Sequence, residues 1–165
     1  MFYLDIFTAL ANHEVRYLLI GGLAMNLHGV PRMTMDVDLV IALDTANLQR
    51  MLNAAASLDL QPVLPLSLED ILDPEKRNHW IRDRNMVAFA LRSPRLEGPT
   101  VDILIDPPLD VARALSRAEL QDLGGTKASL ASIEDMIALK EKSGRKQDLA
   151  DIEHLRRLQE ERKRK

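Results

Sequence analysis

The sequence predicts an α/β (α+β) protein: a small mixed sheet with flanking helices, followed by a C-terminal helical hairpin. Three observations carry this. Short, largely apolar stretches at 15–20, 35–42, 86–91 and 100–105 end at Gly, Pro or polar turns. Segments of helical period stand between several of them. After residue 130 only the helical period remains, broken once by Gly144.

In chain order, residues 4–12 read as an amphipathic helix. Residues 15–20 (Val-Arg-Tyr-Leu-Leu-Ile) form a strand ended by Gly21 and Gly22. Residues 23–28 make a helical turn closed by His28 and Gly29, and 35–42 form a second strand. Thr45 caps a helix through about Ser57. Pro62, Pro65 and Pro74 predict irregular chain with a short helical piece at 68–72. Strands at 86–91 and 100–105 follow, then a helix at 109–117 and a short strand around Leu120. Ser132 starts a helix that Gly144 stops, and a second helix runs from about Lys146. The expectation is one domain over 1–165, with its core at about 1–125 and the hairpin at about 130–162.

Composition narrows the function classes. Of 165 residues, 46% are apolar and 28% charged, a globular balance. No apolar run approaches the ~20 residues a bilayer span needs, and the first residues lack a signal-peptide pattern, so a cytoplasmic protein is expected. With no cysteine, disulfides, thiolate zinc sites and cysteine nucleophiles are excluded. Residues 141–165 hold 9 basic and 6 acidic side chains, so the rest of the chain is net acidic. That argues against a protein coated for nucleic acid, while leaving room for a local groove.

The acids are the informative feature. Asp36 and Asp38 alternate with Val37 and Leu39, so on a strand both carboxylates share one face. Like charges side by side in an apolar strand call for a positive partner, and a divalent cation is one; a strand end facing water is the alternative. Asp102 sits in a second apolar strand and supplies the further carboxylate a two-metal site needs. Asp106, beside Pro107, reads as a turn residue. Gly21 and Gly22, between strand and helix, let a phosphate approach backbone amides.

The order strand, Gly-Gly, helix, Asp-x-Asp strand, then a lone Asp on another strand resembles the nucleotidyltransferase superfamily that includes DNA polymerase beta. Within it the chain is similar to the small bacterial AbiEii-like toxin branch, over residues 15–42, 100–106 and 130–160. The resemblance puts the family's phosphate loop on Gly21 and Gly22, its metal-binding pair on Asp36 and Asp38, and its third carboxylate on Asp102. It also implies nucleotide-binding roles for Arg32, Thr34, Lys140, Arg145 and Asp148.

Local chemistry leaves alternatives open at several of these. Arg32 could hold a phosphate or brace an acid. Arg145 and Asp148 could pair to pin the hairpin. Lys140 falls on the apolar face of its helix with Ile133, Met136 and Ile137, to snorkel or to reach an anionic ligand. Leu149, Ile152, Leu155 and Leu158 form a stripe within which Asp148 and Asp151 project. His28 reads as a helix-end residue and Trp80 as core rather than a base-stacking platform.

The expected activity is transfer of a nucleoside monophosphate from an NTP to a hydroxyl of a tRNA, a protein or a small molecule. Mg²⁺ or Mn²⁺ would be the cofactor, and an antitoxin protein a partner. The alternatives are a nucleotide-sugar glycosyltransferase, which would not demand Asp102 or the Gly-Gly order, and a catalytically silent binding module, against which all three acids count.

Overall fold

The chain builds a seven-stranded mixed sheet in the order β3-β4-β5-β2-β1-β7-β6; the computed structural model describes residues 2–95 and 98–165. The elements are α1 (Phe2–Asn12), β1 (Tyr17–Ile20), α2 (Gly21–His28), β2 (Val37–Ile41), α3 (Thr45–Ser57), β3 (Gln61–Pro62), a 3-10 helix (Leu68–Leu72), α4 (Pro74–Arg84), β4 (Ala88–Arg92), β5 (Val101–Leu104), α5 (Val111–Ser116), β6 (Glu119–Asp122), β7 (Lys127–Leu130), α6 (Ile133–Ser143) and α7 (Lys146–Lys163). Beside β2, β1 runs antiparallel and β5 parallel, so β2 is central and Val37, Leu39, Val40 and Ile41 are fully buried.

The sheet's two faces have different work. Leu39, Ile103 and Phe89 share one face by register, together with Tyr17. There α1 stacks Phe7 on Tyr17 and α4 stacks Trp80 on Phe89. Trp80 is therefore core, as the sequence implied. Asp38 and Asp102, directly opposite each other across β2 and β5, lie on the other face, toward the α6–α7 hairpin.

Several expectations shift. The strand expected at 35–42 begins only at Val37. The Asp36 side chain accepts from Thr100 N at 3.0 Å while Val37 N donates to Thr100 O, so a carboxylate takes the place of the next ladder rung. The α3 cap is Asp44 rather than Thr45, its side chain accepting from Asn47 N. Helix α4 was not foreseen: it has no apolar stripe and buries only Trp80, but Asp73 caps it and Pro74 opens its first turn. The short β7 was also unforeseen, since its parallel pairing with β1 is a tertiary contact. In α7, Leu149 is exposed and Ile152 and Leu155 carry the burial.

At the far end of the hairpin, Arg162 makes a forked contact with Glu119 at 3.0 and 3.1 Å and reaches His28 Nδ1 at 3.4 Å. The buried His28 lies 2.8 Å from the Ala131 carbonyl through Nε2. That carbonyl can only accept, so Nε2 carries the proton and Nδ1 is free to accept.

Asn47 ties β1 to β2 from α3. Fully buried, it accepts from Arg16 N at 2.8 Å and donates to Arg16 O and Ala42 O at 2.9 and 2.8 Å. Replacing it with Ala strands these backbone groups, and Asn47→Ala is expected to lose about 2–3 kcal/mol in urea unfolding. A loss below about 0.5 kcal/mol would mean that water satisfies them.

Candidate active site

The site is built where β1 ends and α2 begins. Gly21 has φ +70°, a left-handed conformation costly for a residue with a Cβ. A Cβ there would also fall on the Asp38 carboxylate, so Gly21 is the space Asp38 occupies. Gly22 is close-packed too: a Cβ on it would come within 2.8 Å of Thr34 Cβ. The Gly-Gly pair thus seats Asp38 and Thr34, and does so whether or not a phosphate is present.

A cleft of about 560 Å³ opens over these residues. Gly21, Asp38, Asp102 and Asp106 line one side, and Lys140, Arg145 and Asp148 of the hairpin line the other. Of the residues the sequence singled out, Gly21, Asp38, Asp102, Lys140, Arg145 and Asp148 thus meet in one cavity. Asp106, read as a turn residue, stands in its wall. Gly22, Arg32, Thr34 and Asp36 are not in its lining: Thr34 lies against Gly22, and Asp36 precedes β2. His28 lies outside it, at the end of α2.

The carboxylates strain against their surroundings. Burial first, then the charges of Asp102 and Asp36, push Asp38 up to about 6 against the attraction of Arg145 and Lys140. Burial also raises Asp102, against a hydrogen bond from Thr100 and with help from the Asp36 charge. Among the described residues, nothing hydrogen-bonds the buried Oδ1 of Asp102. Three acids within electrostatic reach of one another, one with an orphaned oxygen, are hard-oxygen donors suited to a divalent cation. Among the described residues no three acidic or histidine side chains already converge as a metal cage. Asp36 instead accepts a hydrogen bond from Thr100 N.

The hairpin cations are held by acids. Asp151 receives Arg32 at 2.5 Å and Lys140 at 2.8 Å. Asp148 receives Arg145 at 3.0 Å, with Lys140 at 3.7 Å. Burial pushes both acids up, yet the bonds from Lys140 and Arg32 hold Asp151 below the usual carboxylate range, and those from Arg145 and Ser143 do the same for Asp148. The sequence placed Asp151 in the apolar stripe but gave it no partner. It is the hub that joins the segment before β2 to both hairpin helices.

A family model described as "Nucleotidyl transferase AbiEii toxin, Type IV TA system" matches residues 4–164. Among solved structures, an antigenic nucleotidyltransferase-like protein from Paracoccidioides brasiliensis aligns with a TM-score of 0.54 and 22% identity, over 93% of this chain and 73% of its own. That likeness concerns the fold. No curated protein matches the chain. Among the described residues no helix is long and apolar enough to cross a membrane.

The folded state holds a proton on Asp38 up to about pH 6, whereas the unfolded chain releases it near 3.8. Asp38 therefore costs the fold nothing below pH 3.8, and its penalty grows as pH rises to about 6, then stays constant. In metal-free buffer, Asp38→Asn is expected to raise Tm relative to wild type at pH 8 and to leave the two nearly equal at pH 4. Equal Tm values at pH 8 would show that the acid is not strained.

Proposed function

The chain belongs to the AbiEii nucleotidyltransferase toxin family of type IV toxin–antitoxin systems, and from that premise we propose that it moves a nucleoside monophosphate from an NTP to a hydroxyl acceptor with a divalent cation as cofactor. One observation carries the reading: Asp38 and Asp102, opposite each other on parallel strands, face a cleft whose far wall is cationic. Anionic donors on one side and Lys140 with Arg145 on the other suit a cation–triphosphate pair.

In the transfer, the acceptor oxygen bonds to the α-phosphorus, the bond from that phosphorus to the bridging oxygen breaks, and pyrophosphate departs with the negative charge. Asp36, Asp38 and Asp102 would hold Mg²⁺ or Mn²⁺, which supplies charge stabilisation on the α-phosphate oxygens. We assign Asp102 to the attacking hydroxyl. Its Oδ1 is without a partner among the described residues, and a carboxyl held above its usual range accepts a proton more readily. Lys140 and Arg145 lie across the cleft, placed to draw the phosphates in, with Asp148 and Asp151 fixing their direction. Gly21 and Gly22 open α2, whose first amides favour negative charge. Arg32 holds Asp151, and Thr34 lies against Gly22.

The acceptor is a tRNA end, a protein hydroxyl or a small molecule, and an antitoxin protein is the expected partner. Incubation with each α-labelled NTP, Mg²⁺ or Mn²⁺ and each acceptor class is expected to move label to one of them. A protein that binds no NTP and labels nothing would overturn the proposal.

Two variants refine it. Divalent cation is expected to raise the wild-type Tm, and Asp36→Asn combined with Asp38→Asn to abolish that rise; an unchanged rise would place the cation elsewhere. Asp102→Asn should keep the fold and nucleotide binding while transfer falls by ~100-fold or more. Near-normal turnover would remove Asp102 from the chemistry.

A further inference from the structure

The cleft is lined by a third cation whose situation differs from the other two. Lys140 and Arg145 rest on Asp151 and Asp148, and Arg32, outside the lining, shares Asp151 with Lys140, so much of their field is cancelled before any ligand arrives. Drawing them onto a phosphate would also strip buried carboxylates of their partners, which is costly. Lys142 lines the same cleft, two residues further along α6. Its Nζ donates to the carbonyl of Pro108 at 2.5 Å, and among the described residues it makes no ion pair.

A carbonyl oxygen satisfies one donor and neutralises no charge. An ammonium has three rotatable N–H groups on a flexible stem, so two remain for an anion even while Pro108 is held. Asp106 also lines the cleft, and the bond that Lys142 makes is to the Pro108 backbone. The contact also sets where the charge stands. β5 ends at Leu104, so Pro108 lies in the chain beyond the strand that carries Asp102. The uncompensated charge is therefore tied to the segment after β5 rather than to the strands that carry Asp38 and Asp102.

Resting on the nucleotidyltransferase reading of this cleft, we propose that Lys142 binds the terminal phosphates of the NTP, the part that leaves as pyrophosphate. Lys140 and Arg145 draw the phosphates in from positions fixed by acids, and Lys142 adds the charge that distinguishes a triphosphate from a monophosphate.

The test compares equilibrium binding of the four NTPs and the corresponding NMPs, with Mg²⁺, to wild type, Lys142→Gln and Lys142→Arg, alongside the Tm of each. Lys142→Gln is expected to weaken NTP binding about tenfold, the scale of one charge-assisted hydrogen bond. NMP binding and Tm should not change, and Lys142→Arg should restore most of the NTP affinity. Wild-type NTP affinity in Lys142→Gln would overturn the proposal while leaving the site reading intact. Equal weakening of NTP and NMP with a lowered Tm would also overturn it, reducing Lys142 to a strap on the Pro108 segment. A wild-type protein that binds no NTP would overturn both the proposal and the site reading.

Discussion

The structure depends on one unfavourable contact: two carboxylates set opposite each other in the middle of a sheet. Asp38 and Asp102 are register partners on parallel strands, where burial disfavours their charge and proximity makes them repel. Gly21 has no side chain because Asp38 fills that space. Asp36 is turned aside into a bond with Thr100 N. The hairpin brings its cations to the opposite wall. Burial of Leu39, Ile103 and Phe89 on the sheet's other face anchors the strands that hold the acids together.

The second wall of the cleft follows from the first. A cationic surface facing buried acids would collapse onto them if its side chains were free, and Asp148 and Asp151 prevent this by holding Lys140, Arg145 and Arg32 from behind. The result is two layers of acid with a layer of base between them. Such an arrangement keeps the cations ordered without ligand, so binding costs less side-chain entropy.

The acid wall was legible in the sequence because strand alternation is a local rule. Val37, Leu39, Val101 and Ile103 mark the buried face, so Asp38 and Asp102 must occupy the other. Gly144 as a helix stop, with φ +66°, was legible for a similar reason. The pairing of Arg32 with Asp151 was not, since 119 residues separate them and no local pattern records it. Helix α4 escaped because the usual signal is an apolar stripe, and only Trp80 is buried there; Asp73 and Pro74 were the available cue. The strand identity of β7 exists only once β1 lies beside it.

The double attachment of α7 has a consequence for the order in which the molecule is made. Near its start Asp148 lines the cleft and Asp151 holds Lys140 and Arg32, and near its end Arg162 reaches Glu119 and His28, the latter 134 residues away. Chains emerge from the ribosome N-terminus first. A growing chain therefore has both strands of the acid wall before it has the basic wall, and Arg32 waits for Asp151 through the synthesis of everything between. Until α7 is added the polypeptide carries repelling carboxylates with nothing opposite them. The cleft is thus a late product of translation, and a chain that stops before α7 lacks it.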